Sequence, residues 1–137
     1  MTTLALNKPR AYEEGIYNDL PVKGSTKIFE GAVLGKASGF ARPLVAADVF
    51  LGFSQEFVDN SAGADGVKVV RTRQRGKIVL DVVGVTGVTN EGATVYASDD
   101  DTFTLTSAGN TAIGKISRWM SGTRCVVEFE AASAQSL

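Results

Sequence analysis

The chain has 137 residues, 44% of them hydrophobic and 21% charged, with a formal net charge of −1. That length suits one domain able to bury about two-thirds of the surface its unfolded chain exposes, and the charge balance offers no general attraction to nucleic acid or to an anionic membrane. Histidine is absent and cysteine occurs once, at Cys125, which excludes a Ser-His-Asp or Cys-His nucleophile, a histidine metal ligand, an internal disulfide and a cysteine-based zinc site.

No apolar run approaches the roughly 20 residues of a membrane span. Residues 1–10 lack the apolar centre of a signal peptide, so synthesis and retention in a cytosol, or in something assembled there, are expected. The 15 glycines, together with many valines and threonines, favour short strands and frequent turns over helices.

Residues 1–27 differ from the rest. They hold Pro9 and Pro21, two of the three prolines, and show no sustained periodicity. Gly15 weakens a helical turn around residues 12–17. Five large apolar or aromatic residues, Tyr12, Ile16, Tyr17, Leu20 and Val22, argue against a purely solvated terminus. The segment therefore reads as an extended arm that packs on a partner, with strand addition to a neighbouring sheet as the expected mode.

Residues 28–131 read as a β domain. A short strand lies in 28–35, bracketed by Gly31 and Gly35. A second covers 39–45, where Pro43 confines it to an edge or a bulge. After a turn at 46–48, strict alternation over 49–57 puts Val49, Leu51, Phe53, Gln55 and Phe57 on one face. Residues 59–66 are a loop by composition. Two β-rich runs, 67–73 and 77–83, read as a hairpin joined through Gln74, Arg75 and Gly76.

The stretch 94–130 reads as a meander, with turns at 98–101, 107–110 and 121–123. Phe103 and Leu105 share one face of its middle, and Cys125, Val127 and Phe129 share one face of its last strand. Cys125 therefore reads as a small core residue rather than a reactive thiol. Residues 132–137 form a small-residue tail, expected to fray. The expectation is an all-β, single-domain barrel or sandwich of about nine short strands, with an extended N-terminal arm.

The candidate sites are few. Residues 31–38 (GAVLGKAS) superficially suggest a phosphate loop, but the spacing is one residue short, Ala37 replaces the required hydroxyl, and no helix pattern follows. Asp99, Asp100 and Asp101 offer oxygen ligands for Ca²⁺, yet without the spacing of a known loop they read as a solvated turn. Lys68, Arg71, Arg73, Arg75 and Lys77 place five cations in ten residues with no acid between them, either a solvated strand face or a ridge for an acidic protein surface. Trp119 is either an interface residue or a plug at one end of the barrel. Acid–base catalysis would require carboxylates such as Glu56, Asp81 and Glu128 to converge. No catalytic, cofactor-binding or metal-ligating residue is assigned.

From 28 to 131 the chain resembles the capsid decoration, or cement, proteins of tailed bacteriophages. The segments that carry the likeness are IFEGAVLG (28–35), ARPLVAADVFLGFSQEFVDNSAGADG (41–66), GVTGVTNEGATVYASDDDTFTLT (84–106) and NTAIGKISRWMSGTRCVVEFEA (110–131). In the arm the likeness is looser and rests on residues 18–22 (NDLPV). The resemblance implies a small β-fold without enzymatic activity, assembled as a dimer or trimer and located on the outside of the expanded virion capsid. There it would clamp neighbouring copies of the major capsid protein, with no part for nucleic acid or membrane. The residues expected at the capsid or partner interface are Tyr12, Tyr17, Leu20, Pro21 and Val22 of the arm and Arg71 and Arg73 of the ridge. The alternative reading is a carbohydrate-binding β module on a phage surface.

Overall fold

Period-two patterning is realised as strands throughout the computed structural model, which describes residues 3, 5–11, 13 and 15–132. The fold is all-β and contains a small closed barrel, with twelve strands and one 3-10 turn (Val88–Asn90) among the described residues. The first half of the chain builds an antiparallel sheet from β1 (Tyr17–Pro21), β3 (Val33–Ala37), β4 (Phe40–Pro43), β5 (Val49–Ser54) and β7 (Val69–Arg73), in the order β1-β7-β5-β3-β4. A two-stranded sheet pairs β2 (Thr26–Ile28) with β6 (Val58–Asn60). The second half closes a barrel from β8 (Arg75–Val83), β9 (Thr94–Ala97), β10 (Phe103–Thr104), β11 (Thr111–Ser121) and β12 (Arg124–Glu130). The two-residue β10 completes it by pairing parallel with β8 and antiparallel with β9. Closure removes the unpaired edges that an open sheet of this size would expose.

Two apolar clusters hold the structure. The larger fills the barrel and its seam with the first sheet. The inward face of β12 (Cys125, Val127, Phe129) meets Val82, Val95, Phe103 and Ile116 there, and Phe50 and Phe53 enter from β5. The Phe53 and Phe129 rings meet edge-on with centroids 4.8 Å apart, a favoured aromatic arrangement. The smaller cluster joins Val22, Ile28, Leu34, Leu51, Val58 and Val70 beneath the first sheet.

The expected alternation over 49–57 fails, for an identifiable reason. Gly52 has φ 117°, and the pairing of β3 with β5 slips between Leu34 and Gly35. This is a bulge, which inserts a residue and inverts the facing beyond it. Phe50 and Phe53 therefore share one core while Leu51 enters the other. A Cβ at position 52 would collide with the Arg73 carbonyl oxygen, so the close approach of β5 to β7 requires glycine.

The expected hairpin over 67–83 is also absent. β7 pairs with β1 and β5, whereas β8 pairs with β12 and β10. The chain crosses between the two units at Gln74, whose N–H donates to the Ile16 carbonyl (2.8 Å) and whose carbonyl accepts from the Ala131 N–H (2.7 Å). Both backbone groups are satisfied without a turn.

The boundary placed at residue 27 moves as well. Tyr17 to Pro21 pair residue by residue with Arg73 to Val69, and Val22 is fully buried. Pro21 is tolerated because it ends a strand at the sheet's edge. The β domain thus begins at Tyr17, and residues 17–27 are part of it rather than of an arm. Of the expected tail, residues 133–137 lie outside the described residues.

Candidate docking surface

β1 is the outermost strand of its sheet, with one backbone edge unpaired along most of its length. On it the Tyr17 ring lies under two guanidinium groups of β7, Arg71 at 4.7 Å and Arg73 at 5.7 Å from the ring centroid. Register dictates this, because Tyr17 is directly opposite Arg73 and Arg71 is two positions further along the same face. Each cation is held over the negative face of the ring, which fixes two long side chains that would otherwise lose rotamer freedom on docking. Arg73 also donates from Nε to the Arg75 carbonyl at 3.2 Å.

On the cationic ridge, Asp19 of β1 lies directly opposite Arg71. Among the described residues the ion pairs are Lys23–Asp65 and Arg42–Asp48, and neither involves Arg71, Arg73, Arg75 or Lys77. The crossover at Gln74 divides these four between two sheets. Arg71 and Arg73 sit on the first sheet, while Arg75 and Lys77 face Glu130 and Glu128 across the β8–β12 pair. Beside the crossover an open cleft of about 830 Å³ is lined by Ile16, Arg73, Arg75, Lys115, Glu128 and Glu130, among others. Its charges are mixed.

The interface residues named from the sequence separate into groups. Tyr17, Arg71 and Arg73 form one platform, and Pro21 is exposed at the other end of β1, opposite Val69. Leu20 is half-buried against the smaller core. Val22 is removed from the surface entirely, so its assignment to an interface is corrected: it stabilises the fold. Tyr12 lies outside the described residues.

The weaker candidates resolve into structural roles. Residues 33–37 of the phosphate-loop look-alike form strand β3, with Val33 and Leu34 fully buried. The Asp99–Asp101 segment is a self-bonded turn, in which the Asp99 carboxylate accepts from the Asp101 N–H (2.9 Å) and the Thr102 hydroxyl (3.1 Å). Those bonds hold Asp99 below the usual carboxylate range. Partial burial and the neighbouring Asp99 and Asp101 charges push Asp100 up. No group of three or more His, Cys, Asp or Glu among the described residues is arranged to hold a metal. Asp81 and Glu128 lie opposite Arg124 and Lys77, four positions apart on the β8–β12 pair, a separation of about 13 Å at 3.3 Å per residue. Trp119 is half-buried against the larger core, and its indole N–H donates to the Gly122 carbonyl at 2.9 Å, tying down the β11–β12 turn. Cys125 is fully buried, and burial pushes its thiol up, followed by the charge of Asp81.

One surface feature was not legible from alternation. Phe29 and Phe57 are 62% and 55% exposed, with ring centroids 5.3 Å apart. The sequence pattern placed Phe57 on one face with Val49, Leu51 and Phe53. β5 ends at Ser54 and the chain passes to β6 in another sheet, so Phe57 does not continue the facing of Phe53.

No protein-family model and no curated protein matches this chain.

Proposed function

We propose that this protein is a capsid decoration (cement) protein of a tailed bacteriophage. In this reading it binds the outside of the expanded head and clamps neighbouring major capsid subunits. The observation that carries it, beyond the sequence resemblance, is the arrangement at β1. A free strand edge, two guanidinium groups over Tyr17 that form no ion pair among the described residues, and the N-terminal segment leaving the domain at the same place form one contiguous surface. A strand edge offers sequence-tolerant backbone hydrogen bonds, and fixed cations suit an acidic protein face. The closed barrel behind it supplies stiffness. Many copies on a symmetric shell make modest single contacts sufficient.

The test is co-sedimentation with expanded capsids of the major capsid protein encoded nearest to it, over a salt series. Arg71→Ala/Arg73→Ala should lower occupancy at low salt and converge on the parent at high salt, because exposed charges are screened beyond about 8 Å at physiological ionic strength. Failure of the parent protein to co-sediment at any salt would overturn the reading. A carbohydrate module, the alternative, would instead retain glycans on an array.

A further inference from the structure

The exposed pair Phe29–Phe57 has no covering element among the described residues. It sits just past the paired ends of β2 and β6, where Ile28 is opposite Val58. Both rings stand on stems anchored in the smaller core, since Ile28 and Val58 are buried, so the platform is rigid. Exposed large apolar groups in contact with each other mark interaction sites more often than scattered ones do. Two carboxylates accompany the rings, because Glu30 follows Phe29 and Glu56 precedes Phe57, and both are exposed. An occupant matching this chemistry carries cations beside a compact apolar group that can lie on aromatic faces.

The chain contains such a segment. Residues 6–10 read Leu6, Asn7, Lys8, Pro9, Arg10, and no acid occurs before Glu13. Pro9 restricts Lys8 to extended backbone and pre-sets its own φ, which is the form in which proline-containing peptides lie on aromatic surfaces. All five residues are exposed, Leu6 at 85%, so the segment is not seated on its own chain's aromatic pair.

We infer that the segment 6–10 of one copy docks on the Phe29–Phe57 platform of a second copy, with Lys8 and Arg10 facing Glu30 and Glu56. Each copy then offers one segment and one platform. Reciprocal exchange closes a dimer and cyclic exchange closes a ring. The inference concerns the free protein and does not rest on capsid binding.

Sedimentation velocity of the full chain over a concentration series, at low and at physiological salt, tests it. The parent should associate, more weakly as salt rises. Phe29→Ser/Phe57→Ser should weaken association at least tenfold with an unchanged melting temperature, because both rings are exposed. Lys8→Glu/Arg10→Glu should do the same, as should Glu30→Lys/Glu56→Lys. Mixing these last two variants, each a monomer alone, should restore association, because each then finds its complement on the other. A parent that stays monomeric throughout overturns the inference. So does association that survives the serine variant, and so does a mixture that fails to assemble while the two charge variants remain folded.

Discussion

The hydroxyl of Thr111, the first residue of β11, donates to the backbone carbonyl of Asp48 at 2.7 Å, bonding the barrel to the first sheet. The other end of Asp48 is equally occupied. Its carboxylate accepts from Arg42 Nε and Nη2 at 3.0 and 2.8 Å and from the Val45 N–H at 3.1 Å. A Cβ on Gly35 would collide with this carboxylate, so glycine on β3 makes the space. One residue thus fixes the β4–β5 turn and the seam together.

Asp48 gives a stability prediction with a sign. Burial opposes its ionisation, but the Arg42 hydrogen bonds, the Val45 N–H and the Arg42 charge outweigh it and hold the carboxyl below its ordinary value of 3.8. The folded value is depressed, so this contribution is present above the unfolded value and lost as pH falls through the folded one. Asp48→Asn should cost about 1.5–3 kcal/mol at pH 7, the range for hydrogen bonds to charged groups. In denaturant titrations, the gap between parent and variant should narrow below pH 4. A gap constant down to pH 2 would show that the charge of Asp48 contributes nothing.

Gly52→Ala should destabilise the domain by at least about 1–3 kcal/mol, the cost of a strained non-glycine backbone, because φ is 117° and the added carbon meets the Arg73 carbonyl. Gly92→Ala is the control. It also has positive φ, at 87°, but no atom lies within 4 Å of the added carbon. Equal midpoints for the two variants would mean that the β5–β7 approach is not tight.

Truncation separates the N-terminal segment from β1. A chain beginning at Gly15 should melt within about 3 °C of the parent, whereas one beginning at Ser25 loses the whole of β1 and Val22. Burying one valine contributes about 1.5–3 kcal/mol, and each kcal/mol moves the melting temperature of a domain this size by several degrees. The shorter chain should therefore melt at least about 5 °C lower. If it melted with the parent, residues 17–22 would not belong to the folded unit.

Phe103→Ala and Phe129→Ala should each cost about 3–5 kcal/mol, the range for emptying a buried aromatic site. Both side chains are at most 5% exposed within the larger core. Cys125, in the same core, should react with a thiol reagent only as fast as the chain unfolds. Instant modification of the native protein would place β12 wrongly.

Strands within 94–130 were legible, but the expected meander is not formed: β11 pairs with β9 and β12, whereas β10 pairs with β9 and β8. Cys125, Val127 and Phe129 could only share one face, and the turns at 98–101, 107–110 and 121–123 are written in residues that bend readily. Absence of histidine and the single cysteine settled other questions by composition alone. Local pattern could not reveal where the chain changes partners. Residues 67–83 look like a hairpin because both runs favour strand, yet the pairing of β7 with β1 and of β8 with β12 is chosen by contacts distant in sequence. Residues 17–22 read as part of an arm because Pro21 and the lack of sustained periodicity argue against a strand, and an edge position tolerates the proline. The outward turn of Phe57, and with it the aromatic platform, follows from β5 ending at Ser54 and the chain leaving for the sheet of β6, which no periodicity encodes. Strand identity is a local property of side chains along a pleat. Strand partnership is decided by which buried faces fit together, and that exists only once the chain has folded.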